Sequence, residues 1–366
     1  MITYPKDQIT VTQAAVVVSN TIIGTGILTS PRTIAQEVGS PDGWISVILS
    51  GMIALLAGYV VAKLSQRFPG QTFYEYSQIV VGKFLGRIHG GIFTFYFLLS
   101  AGFQLRAMGE MIRMYLLDNT PIEVIIIFFM SVATYLMVGG INAIARLFEL
   151  FLPFIILILL SLVVFSLGDF KLENIRPVMG DGITPIFNGI KTSALSLSGF
   201  EVMLLFTAFM KEPQKAVKST LIGIGVVIPL YVLIVVMCIG TFGIDELKTL
   251  TWPMMEDAMS IEVPGGVLER FESLFSILWV MTMYTTFVPF HYAASLGLGQ
   301  LLNRNYQTFI FASLPVIYLI AMYPENLDNV FALGSFIGYS SVFIMGIMPF
   351  YFWIIAMIRG KGIASY

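Results

Sequence analysis

The sequence predicts an all-α membrane protein: ten transmembrane helices arranged as a 5+5 inverted repeat, with helices 1 and 6 discontinuous. Three observations predict it. Of 366 residues, 57% are hydrophobic and only 11% are Asp, Glu, Lys or Arg, at a mean hydropathy of +0.85, against roughly 25% charged in soluble domains. The apolar residues gather in stretches long enough to cross the hydrocarbon core, which takes about 20 residues as a helix. The spacing of those stretches then repeats halfway along the chain. The chain reads as one multi-pass unit over 1–366, with repeats over about 1–168 and 184–358.

The ten stretches cover about 11–38, 43–63, 88–117, 122–143, 147–168, 184–210, 217–243, 271–299, 306–323 and 329–358, with charge-free runs such as 44–62, 150–168, 219–244 and 273–303. A closed β-barrel is the other way to span a bilayer, but no set of short alternating segments occurs. The first fifteen residues hold one Lys (Lys6) and no small-residue cleavage site, so the first span reads as permanent rather than as a signal peptide.

Basic residues set the orientation. With the N-terminus in the cytoplasm, that side receives 12 of the 20 Lys and Arg, among them Lys63, Arg67, Lys83, Arg87, Arg146, Lys211, Lys215 and Arg359, against Asp7, Glu75, Glu149 and Glu212. The outer side receives most of the acids. Both termini are therefore expected in the cytoplasm.

Spans 2 and 3, and spans 7 and 8, are separated by long polar segments, 64–87 and 244–270, whereas short turns join the later spans of each half. Five crossings per half force the halves into opposite orientations, the pattern of transporters that bind at the midplane between broken helices. The first span of each half carries the breaks. In span 1, Gly24 and Gly26 flank Thr25; in span 6, Ser196, Ser198 and Gly199 precede Glu201. Where such a helix opens, N–H groups at the start of the second half-helix suit a carboxylate, and carbonyls at the other break suit an ammonium group. The pair suits a small zwitterion, an amino acid. Small residues also serve close helix packing, and either segment alone reads as readily that way.

Several motifs resemble the membrane-embedded B subunits of bacterial spore germinant receptors, a branch of the amino acid–polyamine–organocation transporter superfamily. They include Asn20-Thr21-Ile22-Ile23-Gly24-Thr25-Gly26-Ile27-Leu28, Pro41-Asp42-Gly43-Trp44, Arg106-Ala107-Met108-Gly109-Glu110, Asn174-Ile175-Arg176-Pro177, Gly199-Phe200-Glu201-Val202-Met203 and Thr285-Thr286-Phe287-Val288. The resemblance runs in order along essentially the whole chain. It implies germinant recognition in the spore inner membrane, alongside a larger A subunit and a lipoprotein C subunit. By position it implies a germinant pocket at Gly24, Thr25, Gly26, Tyr96, Ser100, Ser198, Gly199 and Thr286. Ser100 and Ser198 stand where alanine-responsive relatives tend to be apolar, which turns the expected ligand toward a different amino acid or a sugar.

Ionisable residues at membrane depth are costly and usually functional. Glu201 reads either as a proton carrier or gate, or as an anchor for freed N–H groups. Arg106 and Glu110, spaced i, i+4, read with Arg113 as a structural ion network or as a gate; an Arg106–Glu201 pair across the bundle is a further option. Thr285 and Thr286 read as packing or ligand contacts, and His291 and Cys238 as packing residues. The 244–270 segment reads as an amphipathic outer cap or a docking surface, and 64–87 as ordinary topology or a contact for a cytoplasmic partner.

One cysteine and two histidines leave no basis for a disulfide framework or a metal centre, and no catalytic, nucleotide-binding or nucleic-acid-binding motif occurs. No enzyme activity and no cofactor are expected. The sequence thus supports a nutrient-binding receptor subunit in the lipid bilayer, with a proton-coupled amino acid transporter as the alternative.

Overall fold

A computed structural model describes residues 7–261 and 271–362. Lys6 and the stretch 262–270, with Glu262, Pro264-Gly265-Gly266 and Arg270 of the expected outer cap, lie outside the described residues. Nearly all of the rest is helical. The first predicted span is two helices, α1 (Val11–Ile22) and α2 (Thr25–Val38), meeting at a 46° bend. Thr10 and Gln13 form a capping box that starts α1, and Gly39, in the left-handed region, ends α2.

The second span is α3 (Gly43–Gln66). The polar segment after it is not a plain loop. It folds α4 (Phe73–Val81), started by a Thr72–Glu75 capping box, with Phe73, Tyr74, Tyr76 and Val80 buried. Gly82 turns the chain into the 33-residue α5 (Lys83–Tyr115), which therefore begins before the predicted 88. Then follow α6 (Ile122–Val138) and α7 (Gly140–Phe165).

The expected turn near 143–147 sits earlier, at Gly139–Gly140. Gly140 has φ 83°, a conformation that ends α6. Asp7 then accepts from the Ile141 and Asn142 N–H groups at 3.0 and 2.8 Å, capping α7 from the far end of the chain. Arg146, assigned to the turn by sequence, accordingly lies within α7, as does Glu149 at the start of the predicted fifth span.

In the second half, α8 (Thr184–Ser196) and α9 (Met203–Phe206, with single 3₁₀ turns on either side) form the bent sixth span, also at 46°. Next come α10 (Ala216–Leu247, kinked at Gly243), the short helix α11 (Pro253–Ser260) and α12 (Phe271–Leu302). The chain closes with α13 (Tyr306–Ala312), α14 (Leu314–Met322), α15 (Leu327–Ser341) and α16 (Met348–Ile358), the last two joined by a π-helical turn over 342–347.

Among the described residues, six continuous helices are long and apolar enough to cross a membrane, and the two bent pairs raise this to eight. The remaining two predicted stretches hold the shorter apolar helix α6 and the α13–α14 pair. The chain is a multi-pass membrane protein. Its bundle centres on α5 against α12, with α1 on α10 and α8 on α3, so the first span of each half packs on the second span of the other.

Candidate functional site

Thr21-Ile22-Ile23 is a β-branched run, which weakens a helix, and Gly24 follows it. Ile23 leaves helical geometry (φ −76°, ψ 71°) and α2 restarts with Gly24 as its N-cap and no side-chain cap. The N–H groups of the first turn of α2 therefore have no intrahelical acceptor. At the second break, the chain leaves α8 after Ser196 and passes through Gly199 at φ 129°, accessible only to glycine. A Cβ there would lie 3.0 Å from the Ile22 nitrogen and the Thr21 carbonyl, so the two breaks meet main chain to main chain.

Gly24 and Gly26 are small for the same reason of space. A Cβ on Gly24 would sit 2.5 Å from Thr286 Oγ1, and one on Gly26 would sit 2.6 Å from the Ser196 carbonyl oxygen. Tyr231 of α10 fastens the junction: its hydroxyl lies 2.8 Å from the Ser196 carbonyl oxygen and 3.2 Å from that of Ile22. On α12, Thr286 donates toward the Thr21 and Asn20 carbonyls, 3.2 and 3.4 Å away, and Thr285 toward that of Asn20. The span 8 hydroxyls are thereby engaged with main chain released at the first break.

A cavity of about 360 Å³ opens beside this junction. Gly24, Thr25, Gly26, Tyr96, Ser100, Ser198 and Thr286 all line it, which brings together seven of the eight residues expected to form the pocket. Gly199 does not line it; its N–H donates to Glu201 instead, at 2.7 Å. Sequence reasoning missed three contributions. Gln104 on α5 holds the Thr25 hydroxyl. Phe103 and Phe290 add aromatic walls, and one face of α15 (Phe331, Gly334, Ser335, Gly338) closes the far side. Gln104 was findable, because it lies eight residues, about two turns, from Tyr96 on one helix face. The role of α15 was not, since its glycines and serines read as packing residues. Toward the mouth the lining includes Arg32, Glu37 and Asp328, with Arg32 stacked over the Phe331 ring at 5.1 Å.

The charged residues expected near the site occupy two separate places. Glu201, fully buried and outside the cavity wall, accepts from Tyr96 Oη and from the Gly199 N–H, both at 2.7 Å. Arg106 pairs with Glu110 at 2.9 Å and donates to the Ala321 carbonyl, and Arg113 closes on Glu110 at 2.8 Å. No Arg106–Glu201 pair forms. His291 bonds Ser313 at 2.8 Å and Cys238 is buried in α10. Among the described residues no cluster of His, Cys, Asp and Glu could hold a metal ion.

Comparison with known proteins decides the family. The family described as spore germination protein matches residues 8–330. The chain belongs to it. It is 41% identical over 358 residues to the Bacillus subtilis spore germination protein YndE, covering 98% of this chain and 99% of that one. It is 34% identical to B. subtilis spore germination protein A2 over 95% of each chain. Among solved structures, a nucleobase–cation-symport-1 family transporter, Mhp1, matches 98% of this chain and 83% of its own at TM-score 0.71 and 15% identity. MhsT in complex with L-phenylalanine matches 94% and 97% at 0.62 and 11%. These structural likenesses establish a transporter fold. The relatives are germination proteins and transporters rather than enzymes.

Proposed function

We propose that this spore germination protein is the nutrient-recognition subunit of a germinant receptor, and that it binds a small amino acid between its two broken helices. One observation carries the reading: a cavity of about 360 Å³ that opens beside the junction of the two breaks and is lined by both, by the start of α2, which has no side-chain cap, and by the end of α8. The ligand's carboxylate goes to the first turn of α2. Its ammonium group goes to the carbonyl side near Ser196 and Ser198. The relatives' names, spore germination proteins, favour a receptor over a pump.

By the same reasoning the chain lies in the spore inner membrane with both termini cytoplasmic, in ten spans related as repeats over about 1–168 and 184–358. It signals through a larger A subunit and a lipoprotein C subunit, as its resemblance to germinant-receptor B subunits implies.

A second reading, a proton-coupled amino acid transporter, is favoured by the fold and by the buried Glu201 at the second break. Two experiments separate them. Spores carrying only this receptor's gene set, screened against single nutrients, should germinate with an amino acid. Purified protein in liposomes should bind that amino acid without sustained uptake; uptake driven by a pH gradient would establish the transporter instead.

A further inference from the structure

Resting on that amino acid reading, we infer that the ligand's side chain is neutral and hydrogen-bonding, a hydroxyl or a carboxamide, and that Ser100 and Gln104 read it. Tyr96, Ser100 and Gln104 recur every four residues on α5 and all face the cavity. Tyr96 is committed to Glu201. The other two are not saturated. The Ser100 hydroxyl borders Tyr96 without reaching hydrogen-bonding geometry, and it is buried (2% exposed) with no partner. Gln104 is 8% exposed; its side-chain oxygen takes the Thr25 hydroxyl, and among the described residues no acceptor takes its NH₂ group. A buried donor left unmatched costs about 1–3 kcal/mol, so an aliphatic side chain at this place leaves the groups unpaired while a polar one satisfies them.

Charge selects further. Of the charged residues of the lining, Glu37 and Asp328 belong to the ends of α2 and α15, while Arg32, midway along α2 and seven residues (about two turns) beyond Thr25, stacks over the Phe331 ring at 5.1 Å. None lies at the depth of Ser100, and Glu201 is shut behind Tyr96. A side chain bearing a net charge would enter without a counter-ion, which is costly in a low-dielectric site. Gln104 also holds Thr25, the residue after the Gly24 cap, so the group that reads the side chain is tied to the helix start that receives the carboxylate.

The test is a thermal-stability titration of the purified full chain in lipid nanodiscs. The probes are L-serine, L-threonine, L-asparagine and L-glutamine against L-alanine, L-valine and L-leucine, with L-aspartate and L-lysine as charged probes. At least one neutral polar amino acid should bind about tenfold or more tighter than every aliphatic and charged one. Ser100→Ala and Gln104→Met should each weaken the polar probe by about tenfold while leaving the aliphatic ones unchanged or better bound. Aliphatic or charged amino acids binding best in the wild-type chain, or a polar preference intact in both variants, overturns the inference and leaves the amino acid site standing. No binding by any probe removes that underlying reading as well.

Discussion

Tyr96 of α5 donates its hydroxyl to Glu201, 2.7 Å away across the bundle, and Glu201 in turn holds the N–H that Gly199 frees at the second break. Of the two roles the sequence left open for Glu201, anchor and proton carrier, this geometry supports the anchor: both carboxylate oxygens are taken and neither faces the cavity. Tyr96→Phe and Glu201→Gln should each lower stability by about 1–3 kcal/mol, because a buried group loses its partner. Ligand response should weaken alike at every pH. A loss limited to pH-gradient-driven uptake, measured in liposomes, would assign Glu201 to proton movement.

The space at the first break yields a second prediction. A Cβ on Gly24 meets the Thr286 side chain, which can shift, whereas one on Gly26 meets the Ser196 carbonyl and the Tyr231 hydroxyl. Gly26→Ala should therefore be the more damaging, by about 1–3 kcal/mol as an overpacked site. Gly24→Leu should insert and accumulate normally yet abolish germinant response. Abundance by immunoblot and response in spores check both; normal response at normal abundance removes Gly24 from the site.

The Arg106–Glu110 pair is buried at 5% exposure for each residue, whereas the Arg113 side chain is 46% exposed. Glu110→Leu strands Arg106, whereas Arg106→Met leaves Glu110 its bond to Arg113. Glu110→Leu should cost about 3–5 kcal/mol, Arg106→Met less, and the double variant clearly less than their sum. Thermal midpoints of the three variants check it. Additive losses would mean the pair is not a unit.

On α11, outside the spanning helices, burial pushes the Asp257 carboxyl up to about 6, against the Ser166 hydroxyl that donates to it at 2.7 Å. Because the buried acid prefers its neutral form, its contribution to stability is present at low pH. That contribution is lost as pH rises between about 4 and 6. Relative to Asp257→Asn, the wild-type thermal midpoint should fall across that window; parallel curves would show that Asp257 does not titrate there.

Much of this architecture is legible from residue patterns because apolar length and glycine placement are local properties. The breaks at Gly24 and Gly199 announce themselves, and the polar positions of α5 follow from helical periodicity once a break points at them. What escaped reading depends on distant partners. The boundary at Gly139–Gly140 moved because Asp7, more than 130 residues away in sequence, supplies the cap of α7. Helix α4 was hidden in a segment that looked merely polar, since its aromatic face is defined only by what α5 and α16 present to it. The wall made by α15 is invisible for the same reason.

Just before the first span, the Ile9 carbonyl accepts from the Lys211 N–H and the Ile9 N–H donates to the Phe209 carbonyl, both at 2.9 Å, while Asp7 grips the start of α7. This strap crosses the end of the molecule opposite the cavity mouth and ties the tail of the bent sixth span to the seventh helix. Opening a path on that face would require these two main-chain hydrogen bonds to break, so the strap is a latch whose release can be read by amide hydrogen exchange at Ile9 and Lys211.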